Sequence, residues 1–472
     1  MQKSRILLSL CALALVVYLF SQQGGRSPFY EPWAVFHNYL SAKYFNEIGP
    51  FDFYACVIEA DKEANHVWPP DQLVRDLHTY HLVESSSLRC PRGAFTDARW
   101  KEFVHDVATL TNTAPADYWA QALTDKGYNA TPFWSVLFGA VANVVPVDST
   151  IGSAILFNLD FLFVAASIGI VWYFAGETAA LLTLVFALGY FGNFGRIGGN
   201  FAQYLWFPVL ALAIGAWAAK KPTLSGIAFG AAAALQVFPV FFTVPLAVAG
   251  VRQFFHREKG FELTRRFFTW LSITLAIAFV IGSLSTHGIY GWSAWRDKIA
   301  LHSSYLHSEI FDIGVANLVS DVYATDRSGS STYAEDTPHS FARAGTLREH
   351  TAIWFGVAGV YLVLLVAAAW RGSENSLPVL GFVGLYALLS LSPYYYFSLA
   401  LTPLMLDGMQ KRERNILLGL VISLLIVHLV WWGGSYISFS FSGHEYSEFL
   451  FAVVMLAVPA TILYPTLTQR RT

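Results

Sequence analysis

Between residues 131 and 250 the chain carries only six charged side chains: Asp148, Asp160, Glu177, Arg196, Lys220 and Lys221. An ordinary soluble domain holds roughly 25% charged residues. A stretch this long and this poor in charge must hide its surface from water, and a helical bundle in a bilayer does so. The preceding block is the opposite. Residues 21–130 hold 14 acidic and nine basic residues, the composition of an aqueous segment. Over the whole chain, charged residues fall to 13% and the mean hydropathy is +0.46. These figures exclude a disordered chain, a collagen, a disulfide scaffold and a soluble enzyme of usual composition. The net charge of −2 argues against a nucleic-acid partner, which calls for a basic face.

The first apolar run, Ile6 to Phe20, follows Lys3 and Arg5. No small-residue cleavage site comes after it, so it reads as an uncleaved first helix, with a secretory signal as the alternative. Later apolar segments fall near 132–147, 150–173, 178–192, 200–219, 223–250, 267–286, 351–370, 377–391, 394–409, 415–434 and 447–466. A helix needs about 20 residues to cross about 30 Å of hydrocarbon. The expected fold is therefore an all-α polytopic membrane protein with about 10–12 crossings. Segment 178–192 is short enough to be re-entrant, and Pro239 and Pro245 divide 223–250.

Basic residues in short loops mark the cytoplasmic side. Arg252, Arg257, Lys259, Arg265, Arg266, Arg371, Lys411, Arg412, Arg414, Arg470 and Arg471 all fall there when every later segment crosses. Lys220 and Lys221 then fall outside, unless 178–192 is re-entrant and 223–250 is a hairpin. Both counts put the two aqueous loops on the far side. The resulting division is a first helix (1–21), a first external loop (22–131), a bundle (132–286), a second external loop (287–350) and a C-terminal bundle (351–472). The expected place is a bacterial inner membrane, with both termini cytoplasmic.

The first loop is too long to be a mere connector. Trp33, Phe36, His37, Leu40, Tyr44 and Ile48 recur at helical spacing, with Asn38, Lys43 and Glu47 opposite. This reads as an amphipathic helix, either on the membrane surface or inside a small subdomain. Cys56 and Cys90 lie on the oxidising side, which permits a disulfide; the alternative is two free thiols. In the second loop Trp292, Trp295, Ile299 and Leu306 form a stripe beside Arg296, Lys298, His302 and His307. The polar stretch Asp326 to His339 reads as a lid or as a plain connector.

Walker-type glycine loops, zinc-spaced cysteines and nucleophile elbows are missing from the sequence, so neither a cofactor nor a metal is expected. Gly195-Arg-Ile-Gly-Gly199 is a weak match to a glycine loop and also suits a tight turn. Carboxylates crowd the first loop: Glu31, Asp52, Glu59, Asp61, Glu63, Asp71 and Asp76. A general base needs one carboxylate in reach of a hydroxyl; the others are solvated charge. Asp160 lies inside an apolar run, two residues after Asn158. It is either functional or a structural hydrogen-bond acceptor between helices. Arg196 sits at a break between apolar segments, where it would bind a lipid phosphate or snorkel to the interface.

The layout of one helix, a long external loop, a bundle and a second external loop resembles the GT-C superfamily of membrane glycosyltransferases. The closer similarity is to the polyprenyl-phosphate-mannose-dependent mannosyltransferase-like family. It rests on Tyr128-Asn-Ala-Thr-Pro-Phe-Trp134, on Ser392-Pro-Tyr-Tyr-Tyr396, and on Gln236-Val-Phe-Pro239 where the family often has Lys-x-x-Pro. Tyr39-Leu-Ser-Ala-Lys-Tyr-Phe45, Arg75-Asp-Leu77 and Arg99-Trp100 resemble a set of uncharacterised bacterial membrane proteins, which supplies no substrate.

The superfamily resemblance implies transfer of a sugar from a polyprenyl-phosphate donor to an envelope glycan or lipid on the non-cytoplasmic face. It implies a first-loop carboxylate as base, for which Glu31, Asp52, Asp61 and Asp76 are the candidates. Donor phosphate would fall to Lys43, Arg196, His302 and His307, and the sugar or lipid groove to Tyr394, Tyr395 and Tyr396. The family pattern has an Asp just after the first helix, whereas Tyr30-Glu-Pro-Trp-Ala-Val-Phe-His37 has none. Two other readings stand beside this one: a non-catalytic envelope-polysaccharide assembly protein, and a transporter or flippase.

Overall fold

The computed structural model describes residues 2–22, 29–64, 68–190, 197–304, 312–323, 338–406, 408–435 and 442–468. It is 76% helical. The strands among the described residues, Leu73–Arg75 and Leu82–Glu84, form one antiparallel hairpin with Val74 opposite Val83.

Four helical stretches are long and apolar enough to cross a membrane: Thr150–Gly189, Phe238–Phe255, Phe261–Gly282 and Thr351–Arg371. Pro132–Ala142, Trp206–Ala218, Pro222–Leu235 and Glu448–Tyr464 are apolar but shorter. Glycine breaks the longest stretch. Gly176 takes φ +82°, ψ 177°, which ends one helical run and starts the next. Beside this break Glu177 pairs with Arg5 of the first helix at 2.9 Å.

Two ends of the bundle can be told apart by their contacts. At one end Glu374 accepts from Lys220, from Gln253 Nε2 at 3.1 Å and, through its backbone, from Trp217 Nε1 at 3.0 Å. Arg252 there donates to the Trp370 carbonyl at 2.8 Å. Lys220 therefore shares an end with Arg252 and Arg371, contrary to a count in which every segment crosses. Helix Pro132–Ala142 has 11 residues, or about 16 Å of rise, short of the about 30 Å of hydrocarbon. Its C-terminal end stays with the first loop: Gly139 runs against the Ala42 carbonyl, and Tyr39 Oη donates to the Val145 carbonyl at 2.9 Å. Its N-terminal end meets the bundle, where Thr131 Oγ1 donates to the Ala234 carbonyl at 2.6 Å. Burial against protein, as at Trp134 and Phe138, and burial in lipid read alike in hydropathy.

At the other end the loops form one body on the bundle. The stretch 32–48 is no surface helix. Phe36, Tyr39, Leu40 and Tyr44 are fully buried, His37 of the same stripe is buried with them, and so is Lys43 of the supposed polar face. The helix is interrupted by a π-helical turn at Phe36–Leu40 and by Tyr44, and it forms the core of the loop subdomain. Helices Phe53–Glu63 and Asp97–Thr111 pack around it, and a Cys56–Cys90 disulfide closes 34 residues there. The second loop docks on the first. Thr286 N donates to Asn46 Oδ1 at 3.0 Å, and His287 Nε2 donates to the Phe45 carbonyl at 2.8 Å.

Asp160 bonds the backbone of a neighbouring turn. It is fully buried, and its Oδ1 accepts the Tyr204 N–H at 2.7 Å beside Phe201 and Ala202, both with left-handed φ of 56° and 58°. The carboxylate collects amides from a turn that L-residues seldom adopt. The glycines of the 195–199 run that the structure describes serve close packing. A Cβ on Gly198 would strike Phe161, and one on Gly199 would strike the backbone of Tyr30 and Glu31.

Candidate functional site at the junction of the two loops

The four carboxylates expected to supply a base do not converge. Asp61 is buried and accepts the Trp68 N–H at 3.1 Å. Asp76 caps its own turn, accepting from His78 N at 3.0 Å and Thr79 Oγ1 at 2.8 Å. Asp52 bonds His78 Nε2 at 3.0 Å, and that bond raises the His78 pKa. Glu31 accepts from Tyr118 Oη at 2.6 Å. Glu63 pairs with Arg92, and Glu59 receives the Cys90 N–H.

The carboxylate that does face a junction is Asp125, unmarked in the sequence among the acids of its loop. Its position is built from below. Helix Ala116–Ala122 ends and the chain turns, with Asp125 Oδ1 accepting the Lys126 N–H at 2.7 Å. Gly127 continues the turn at φ +70°, where a Cβ would lie 2.9 Å from Leu77 Cδ1. The buried Arg75 guanidinium staples this turn to the hairpin, donating to the Thr124 carbonyl and the Tyr80 carbonyl at 2.7 Å each. Trp33 Nε1 then donates to Asp125 Oδ2 at 2.9 Å, while the side chain stays 30% exposed.

Next to it stands His37, with Nε2 3.9 Å from Asp125 Oδ2. His37 Nδ1 donates to the Trp33 carbonyl at 2.8 Å, so Nδ1 carries a hydrogen. Tyr54 Oη lies 2.7 Å from Nε2 and 3.0 Å from the Ala122 carbonyl. When Tyr54 donates to Ala122, Nε2 must be protonated too; when the ring is neutral, Tyr54 turns its hydrogen to Nε2. Burial lowers the His37 pKa against the pull of Asp125.

The third member is Lys298, from second-loop helix Tyr290–Ser304. Trp295 Nε1 of that helix donates to the Asn129 carbonyl at 3.2 Å, which docks it on the Tyr128–Trp134 motif. One turn later Lys298 is 0% exposed. Its Nζ lies 4.8 Å from the centre of the Tyr80 ring and 5.7 Å from that of Phe51, and among the described residues it has no hydrogen-bond partner. Burial pulls its pKa down to about 7, although Asp125 opposes this. His302, expected at a phosphate, sits 3.3 Å from Tyr80 Oη on the same helix.

Other expected residues have different places. Lys43 is buried between Asp106 at 2.6 Å and Glu102 at 2.8 Å, so its charge is already matched. Tyr396 is fully buried, with Oη on the Ile313 carbonyl at 3.3 Å, and cannot line a groove. Tyr395 packs on Phe238. Tyr394, half-buried with its ring tilted at 39° against Tyr395, lies within electrostatic reach of Asp125 and Asp312. Gln236 follows helix Pro222–Leu235, half-buried, with no side-chain hydrogen bond among the described residues. Arg196, His307 and residues 324–337 of the expected lid fall outside the described residues.

Chemically, the junction offers a partly exposed carboxylate, an imidazole whose proton count is set by its neighbours, and a desolvated amine. Perturbed groups of this kind cluster at functional sites. Comparison with family models, with curated proteins and with solved structures finds no match to this chain.

Proposed function

We propose that the chain is a polytopic membrane glycosyltransferase of GT-C type, moving a sugar from a polyprenyl-phosphate donor to an envelope glycan or lipid acceptor. In this reading the loop end faces away from the cytoplasm and the basic end of the bundle lies in it. The observation that supports the reading is that Lys298 and Tyr394, from two separate parts of the chain, lie within electrostatic reach of Asp125. Asp125 takes the role of base, accepting the proton of the acceptor hydroxyl. Lys298 faces the donor phosphate, whose oxygens would supply the acceptors its Nζ lacks. Tyr394 offers a ring face to sugar or isoprenoid.

The test is a transfer assay in membranes with a panel of radiolabelled polyprenyl-phosphate sugars, comparing the parent with Asp125→Asn and Glu31→Gln. Transfer by the parent, lost in Asp125→Asn and kept in Glu31→Gln, is the expected result. No transfer from any donor by the parent overturns the reading.

A transporter or flippase is the second reading, favoured by one observation. Inside the C-terminal part, buried Glu448 accepts from Tyr386 Oη at 3.0 Å and Gly314 N at 3.1 Å, close to a buried Arg343–Asp321 pair. Buried charge of this kind also marks ion pathways.

A further inference from the structure

A buried ammonium with no acceptor is costly, by several kcal/mol for an unpaired ion. Lys298 is such a group. Its Nζ has aromatic faces around it and, among the described residues, no hydrogen-bonding oxygen. Asp125, the carboxylate that acts on it most strongly, is held by Trp33 Nε1 and the Lys126 amide. The other groups that face Lys298 divide in sign. Asp76 attracts a charge on it, Arg75 repels one, and Lys298 in turn disfavours charge on His37 and His78. Arg296 and Asp297, on its own helix, pair with each other at the surface. A neutral amine resolves the cost in the ligand-free protein. It also leaves a lone pair with no donor, so the position is set to change state when its surroundings change.

Resting on the reading of this junction as the seat of a phosphate-bearing donor, we propose that anion binding is coupled to proton uptake by Lys298. The amine is unprotonated in the ligand-free protein, and it takes one proton from water as phosphate oxygens arrive to accept its N–H groups. One N–H bond forms, hydroxide is left to the buffer, and the incoming negative charge is matched by the new ammonium. The pull of Lys298 down to about 7 places this exchange above neutral pH. His37 is the competing proton acceptor, since it stands beside the same carboxylate.

The experiment is titration calorimetry on the full chain in nanodiscs, at pH 8 and pH 6, in Tris and in HEPES. Undecaprenyl phosphate and inorganic phosphate are the two probes. Phosphate itself titrates near these pH values, so uptake is read as the difference between the parent and Lys298→Arg, which stays charged. At pH 8 that difference is expected to be close to one proton per anion bound, and at pH 6 close to none. Lys298→Met is expected to weaken binding at least tenfold. Uptake with either probe supports the coupling; uptake with the lipid alone adds that the isoprenoid is needed for entry. Equal uptake by the parent and Lys298→Arg at pH 8 overturns the proposal, since it assigns the proton to His37 or to the phosphate, and so does failure of both probes to bind. If Lys298→Arg does not fold, Lys298→Met serves as the uncharged reference. Uptake without any sugar transfer would sink the glycosyltransferase reading alone, and transfer without uptake would sink this one alone.

Discussion

Two lysines are buried in the same loop body, and they are treated in opposite ways. Lys43 sits between Asp106 and Glu102, with Tyr44 Oη also on Asp106 at 2.8 Å and Arg99 bridging Glu102 and Glu47. Every charge in that region has a partner within hydrogen-bonding distance. Lys298 has aromatic rings and, among the described residues, no partner. Burial alone therefore says little about purpose. A matched buried charge holds a fold in register, whereas an unmatched one is waiting for something or has given up its charge.

The contrast can be broken at its most sensitive point first. Asp125→Asn keeps the shape of the junction and removes its base, so transfer should fall by roughly 10²–10⁴-fold, read as product in the membrane assay. An unchanged rate would take Asp125 out of the chemistry. Next, Lys43→Met strands Asp106 in the core and should destabilise the protein by about 3–5 kcal/mol, seen in thermal or denaturant unfolding. A neutral result would mean that this network is not what holds the loop body.

Lys298→Met should do the reverse to stability. The folded pKa of Lys298 lies near 7, below its ordinary 10.5, so the unfolded chain binds the extra proton between those values. The penalty is full below pH 7 and fades as pH rises towards 10.5. Lys298→Met should therefore raise stability by a few kcal/mol near pH 6 and lose that gain by about pH 10, in melts across pH. A gain that is flat with pH would refute a titrating amine.

The smallest effect belongs to His78, half-exposed at the rim. Its pKa is raised by the bond to Asp52, so its contribution is present below the ordinary histidine value and lost as pH rises through the raised one. Solvent screens this pair, and His78→Gln should cost only about a few tenths of a kcal/mol at pH 5.5 and nothing at pH 9. A cost that persists at pH 9 would point to packing on Phe51 instead.

How much of this can be read from residues alone follows from what each signal measures. Charge density located the two loops and the apolar body between them, because desolvating charge is the dominant cost in a bilayer. It does not separate apolar residues buried by protein, such as Trp134 and Phe138 in 132–147, from residues that face lipid. The Cys56 and Cys90 positions suggested a pairing by compartment. Periodicity found the stretch 32–48 but not its neighbours, so a helix covered on all sides looked like one with a wet face. Asp125 carried no mark beyond its place shortly before Tyr128–Trp134, and its role depends on Trp33, His37 and Lys298 arriving from 92, 88 and 173 residues away along the chain. Lys298 looked like the solvated side of a helix because the first loop that covers it is remote in sequence.

The seams at the two ends of the bundle have a mechanical consequence. At one end Glu374 ties Lys220, Gln253 and Trp217 together. At the other, Thr286 and His287 clip the second loop to Asn46 and Phe45. A device that works by alternating access must open one such clasp in every cycle, and lose its hydrogen bonds each time. A frame that keeps both closed leaves entry to its flanks, which is the route that the proposed lipid-borne donor would need.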